Sequence, residues 1–136
     1  MNPGLPAGVV FDHSALLTLG VGHPMLSALV VQAHREAGRH VFVPAVCLAA
    51  ASSIRPALGE HVGALPVLEV VELGYAGALS VGRLIEQGVD WQRAHAVTVA
   101  RPDPEWPAGR RPVVTESPKA YAGLGVVTIQ IPSDLR

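Results

Sequence analysis

Residues 9–17 read VVFDHSALL, and the reading of this stretch decides the fold. Val9, Val10 and Phe11 favour a strand, and a single carboxylate, Asp12, follows them. The chain then turns directly into a helix-like segment. A strand that ends in an acid and passes straight into a helix is the first half of a strand–helix unit in an α/β sheet. It places Asp12 at the carboxyl end of a buried strand, where open α/β sheets hold ligands.

The rest of the chain repeats that alternation. Met25 to Gly38 reads as a helix with Leu26, Leu29, Val30 and Ala33 on one face. His40 to Val43 reads as a second strand, stopped by Pro44, whose missing N–H suits it to open the helix from Ala45 to Ala51. Ile54-Arg55-Pro56 ends that helix or begins a short further turn. Leu65 to Leu73 reads as the third strand, and Gly74 to Gln87 as a helix closed by Gly88. Asp90 to Ala100 forms another helix, its acid well placed at the positive end of the helix dipole. Arg101 to Pro112 holds four prolines and reads as a surface loop. Val113 to Thr115 is the fourth strand, Lys119 to Leu124 a short helix, and Val126 to Ile131 the fifth strand. Strands alternating with helices imply an α/β domain with a parallel sheet covered on both faces. No glycine-rich phosphate loop, internal repeat or coiled-coil heptad is visible.

At 136 residues the chain has the size of one domain, spanning 1–136. Its 49% hydrophobic content and mean hydropathy of +0.35 exclude a largely disordered protein. No apolar run reaches the roughly 18 residues of a membrane span, and MNPGLPAG at the start lacks the pattern of a signal peptide. The expectation is a cytoplasmic protein without membrane contact. Cys47 is the sole cysteine and sits in an apolar run, so no disulfide framework exists and a small buried hydrophobe is the reading. Net charge is −1 with pI near 6.6, whereas a chain devoted to gripping nucleic acid is usually basic. Any nucleic-acid contact needs a local basic patch, and no dense run supplies one.

Three acidic positions follow or precede the expected strands and helices: Asp12, Asp90 and Glu116 within Thr115-Glu116-Ser117. Carboxylates gathered at strand ends bind hard divalent cations, because Mg²⁺ prefers oxygen ligands and keeps several waters. The pattern reads as a metal-dependent phosphodiester site. Two of these acids also have a structural reading. Asp12 can cap the following helix with help from Ser14, and Asp90 can cap its own helix while still ligating. His13 adjoins Asp12 but is expected to face away, and His95 reads as a packed mid-helix histidine. Arg93, Arg110, Arg111 and Lys119 are candidate phosphate contacts, and Trp91 and Trp106 candidate stacking groups.

In four places the chain resembles the PIN domains, and among them the VapC-like toxin ribonucleases. These are VVFDHSALL, VFVPAVCLAAA (41–51), DWQRAHAVTVA (90–100) and VVTESPKAYAGLGVVTI (113–129). The resemblance implies a three-layer α/β/α sandwich with a five-stranded parallel sheet in order 3-2-1-4-5. It implies Mg²⁺- or Mn²⁺-dependent cleavage of RNA, with Asp12 and Asp90 as metal ligands. Ser14 and Thr115 match the small polar residues lining the family's site. The family's helix glutamate falls on Ala50, and its remaining aspartate falls on Ser117. Half of the acidic set is therefore missing, and Glu116 is the one candidate substitute. Two functions follow as expectations: a weak or lost endoribonuclease, or an inactive fold kept to bind RNA or a protein partner. The resemblance further implies an antitoxin-like protein partner and a homodimer, with apolar helices between Met25 and Ala57 as surfaces.

Overall fold

The computed structural model describes residues 8–101 and 111–132. Strand β1 (Gly8–Phe11) leads into α1 (His13–Gly20) and α2 (Pro24–Arg35). Strand β2 (His40–Pro44) is followed by α3 (Ala45–Ile54) and α4 (Ala57–Gly63), and β3 (Leu68–Val71) by α5 (Tyr75–Glu86) and α6 (Trp91–Ala100). Strand β4 (Val113–Thr115), a 3₁₀ turn at Pro118–Tyr121 and β5 (Thr128–Gln130) complete the described chain.

All strand pairs are parallel, and their order is β3-β2-β1-β4-β5. The chain builds the sheet in one direction through β3, then crosses back to lay β4 against the other side of β1. The point of reversal lies between β1 and β4, where Val10 pairs with Val113 and Phe11 with Val114. A topological switch of this kind opens a crevice outside the strand ends. The three-layer α/β/α sandwich and its order are those expected from the sequence. Val9, Val10, Phe11, Val41, Val43, Val113 and Val114 are buried, as strands covered on both faces require. Helix α2 packs on β2, while α6 runs across β1, β2 and β4 and also meets α3.

Several element ends differ from the sequence reading, and local chemistry accounts for them. Helix α2 stops at Arg35 because Glu36 takes extended backbone, three residues before the expected end at Gly38. Helix α3 runs on to Ile54, and the further turn after Pro56 becomes a helix of its own, α4. The outer strands β3 and β5 are shorter than their apolar runs, since residues beyond the paired register gain no ladder hydrogen bonds. A 3₁₀ turn at Pro118–Tyr121 stands in place of the helix expected from Lys119 to Leu124. Gly88 has φ +98, the left-handed conformation that ends α5 as read. Gly8 serves a different purpose: a Cβ there would come within 2.9 Å of the Phe42 ring. The proline-rich segment at 102–110, with Trp106 and Arg110, lies outside the described residues. Among the described residues no single helix is long and apolar enough to cross a membrane.

Candidate functional site

Asp12 follows β1 directly and is the N-cap of α1, so the start of that helix fixes its carboxylate. Its Oδ1 accepts the Ala15 N–H at 2.9 Å and the Ser14 hydroxyl at 2.6 Å. Its Oδ2 accepts the Tyr121 hydroxyl at 2.7 Å. Asp12 has no exposed surface and Tyr121 only 2%. The buried charge thus receives three donors and the positive end of a helix dipole, which is what burial of a carboxylate demands.

Ser14 ties this acid to the end of β4. Its one proton goes to Asp12, so its oxygen is an acceptor for other groups. The Glu116 N–H donates to it at 3.0 Å, and the Thr115 hydroxyl is its other neighbour, at 3.4 Å. Thr115 Oγ1 in turn accepts the Ser117 N–H at 3.0 Å. Four of the residues read from the sequence, Asp12, Ser14, Thr115 and Ser117, therefore meet in one network across the β1–β4 boundary. Ser117 enters it through its backbone rather than its hydroxyl.

The side chain of Glu116 departs from this group. Its Oε1 lies 2.7 Å from the Thr18 hydroxyl, whose single proton is shared with the Ser14 carbonyl, also at 2.7 Å. It lines a separate polar cavity with His23 and Gln130. Successive residues after a strand point to opposite sides, and Glu116 follows that rule. Asp90 caps α6 by accepting the Gln92 N–H at 3.1 Å, and pairs with Arg93 Nη1 at 2.7 Å. Asp90 and Asp12 are not hydrogen-bonded to each other. What they share is His13, whose imidazole is buried and feels the charges of Asp12, Arg93, Asp90 and Glu116. Burial holds its pKa below the ordinary value, against the pull of Asp12 in the other direction.

The hydroxyl and thiol beside Asp12 are held in their neutral forms. Burial, then the Asp12 charge and the hydrogen bond to it, push the Tyr121 phenol far up. The Cys47 thiol is pushed up to about 12 by burial and by Asp12. It donates to the Gln92 carbonyl at 3.4 Å, so the buried hydrophobe read from the sequence also links α3 to α6. His95 performs a second linkage. Its Nδ1 accepts the Val46 N–H at 3.3 Å, supplying the cap that Pro44 cannot give α3. Burial lowers the His95 pKa, and with Nδ1 accepting, the ring proton sits on Nε2.

Neither Ala50 nor Ser117, where the PIN resemblance implies acids, has a substituting acid in the cluster. Ala50 is completely buried, and Ser117 offers its N–H inward. Among the described residues no three His, Cys, Asp or Glu side chains are grouped to share a metal ion. Mg²⁺ and Mn²⁺ need carboxylate oxygens facing one point, with room for waters. The donor set does not meet that need as arranged, because Asp12 is enclosed, Asp90 turns to Arg93, and Glu116 turns to Thr18.

Tyr121 and Thr18 are the participants that sequence reasoning missed. Tyr121 carried a usable signal: it is one of two tyrosines, set in the small-residue run AYAGLG (120–125). A lone aromatic among alanines and glycines fills the space they leave, and its hydroxyl then requires a partner. No protein-family model and no curated protein matches this chain.

Proposed function

We propose that this chain is a PIN-like domain that binds RNA without cutting it, its cleft converted from a metal site into a closed hydrogen-bond network. The observation that carries the reading is the Tyr121 hydroxyl on Asp12 Oδ2, the oxygen left free by the helix cap. A metal ligand at this position would need that oxygen open to a cation and its waters. The loss of acids at Ala50 and Ser117 also lowers the repulsion a phosphate meets at the strand ends.

RNA is favoured over a protein ligand by what stands at the start of α6. Trp91 is 48% exposed and available for base stacking. Two residues on, Arg93 supplies a cation, paired through Nη1 with Asp90. Lys119, exposed on the turn after β4, adds a second cation at the same end of the sheet.

Filter binding of a single-stranded oligoribonucleotide in Mn²⁺ buffer tests this reading. The expected result is retention in the micromolar range that weakens as salt rises, with the RNA recovered at full length. Cleavage that D12N abolishes would instead make the chain a nuclease, and absence of RNA retention would refute the binding role.

A further inference from the structure

Away from the Asp12 network, a cavity of about 440 Å³ opens between the start of α5 and the flank of α6. Helix α5 begins without a side-chain cap, because its N-cap is Gly74 and its first turn holds no acid. The first N–H groups of a helix have no partner within it, and here Ala76 and Gly77 of that first turn line the cavity. A Cβ on Gly74 would meet nothing within 4 Å, so space stands in front of these donors.

A second and independent feature faces the same space. His95 lines the cavity although only 2% of it is exposed. Its Nδ1 is spent on Val46, and among the described residues its Nε2–H has no acceptor. Arg101 and Arg111 also line the cavity. Backbone carbonyls hold both in place: Leu124 accepts from Arg101 at 3.1 and 3.2 Å, and Val99 from Arg111 at 3.3 Å. The Arg111 guanidinium also lies 4.5 Å from the Phe42 ring centre. Neither arginine is ion-paired with a carboxylate among the described residues. One acid, Glu72, stands on the lining against these two cations.

Donors without acceptors, fixed cations and an uncapped helix start are the elements of an oxyanion site. We infer that this cavity binds a single phosphate group, gripped by the first-turn N–H groups of α5, by His95 Nε2–H and by Arg101 and Arg111. It shares no residue with the Asp12 network and does not depend on the function proposed for that network. The phosphate is either the terminal group of an RNA strand or that of a free nucleotide, since both present the same oxygens.

Titration of the ¹⁵N-labelled protein with inorganic phosphate, followed by NMR, tests the site. Saturable shifts are expected at the Ala76 and Gly77 amides and at His95 Nε2. G74D should weaken phosphate binding by roughly tenfold or more, because the new carboxylate caps the helix and occupies the anion's place. Aspartate is a favoured cap and Gly74 has ordinary extended backbone, so this variant should melt no lower than the unmodified protein. R101Q should weaken binding severalfold without the added negative charge. A 5′-phosphorylated oligoribonucleotide and a nucleoside monophosphate then separate the two sources by which binds more tightly than phosphate itself. Absence of saturable shifts, or equal affinity in G74D, would overturn the inference. Loss of RNA retention in the filter assay with the phosphate shifts intact would count against the RNA-binding role alone.

Discussion

Replacing Asp12 with alanine is expected to cost the fold about 3–5 kcal/mol, measured as the change in urea unfolding free energy. The helix cap on the Ala15 N–H is worth about 1 kcal/mol. The Tyr121 hydroxyl, left buried with no acceptor, costs a further 1–3 kcal/mol or so. The Ser14 hydroxyl loses its charged partner as well. D12N should cost less, since its amide retains one acceptor oxygen and offers a donor that the Tyr121 oxygen can accept. A metal site emptied of its ion predicts the opposite sign. Crowded like charges destabilise such a site, so removing one of them commonly stabilises the protein. A D12A variant as stable as the unmodified protein, or more so, would contradict a structural role for Asp12.

Placing at position 50 the glutamate that the PIN resemblance implies is the second large effect. A50E places a longer, charged side chain at a position on α3 with no exposed surface. Overpacking costs about 1–3 kcal/mol, and desolvating an unpaired carboxylate adds several more. A loss of at least about 3 kcal/mol is expected, which for a domain of this size is a drop in Tm of roughly 10 °C. Millimolar Mn²⁺ should not recover it, because Tyr121 still covers Asp12. Recovery of stability on adding Mn²⁺ would show that positions 12 and 50 still face a common cation, and would favour the nuclease reading.

What the sequence made legible was what is decided locally. The run Val9 to Asp12 named the first strand and the acid at its end, because β-formers followed by a capping residue leave few alternatives. Pro44 opening α3, Asp90 capping α6 and Gly88 closing α5 are likewise single-residue signals, and all three stand where read. The meeting of Asp12 with Thr115 and Ser117 followed from the strand order that the resemblance implied. The partner of Tyr121 was out of reach by the same logic. The bond from Tyr121 to Asp12 joins residues 109 apart in the chain, and no local spacing encodes such a pairing. The side taken by Glu116 and the linkage of His95 to Val46 are also tertiary outcomes, fixed by which element packs against which. His13 makes no hydrogen bond to Asp12, and its imidazole is buried where the charges of Asp12, Arg93, Asp90 and Glu116 act on it.

Isothermal titration of the unmodified protein with Mn²⁺ addresses the closed state of Asp12 most directly. With both carboxylate oxygens held by Ser14, Ala15 and Tyr121, the expected result is binding no tighter than millimolar, unchanged by D12N. A micromolar Kd that D12N abolishes would show that Tyr121 yields to a cation, and the closed-network account would fall.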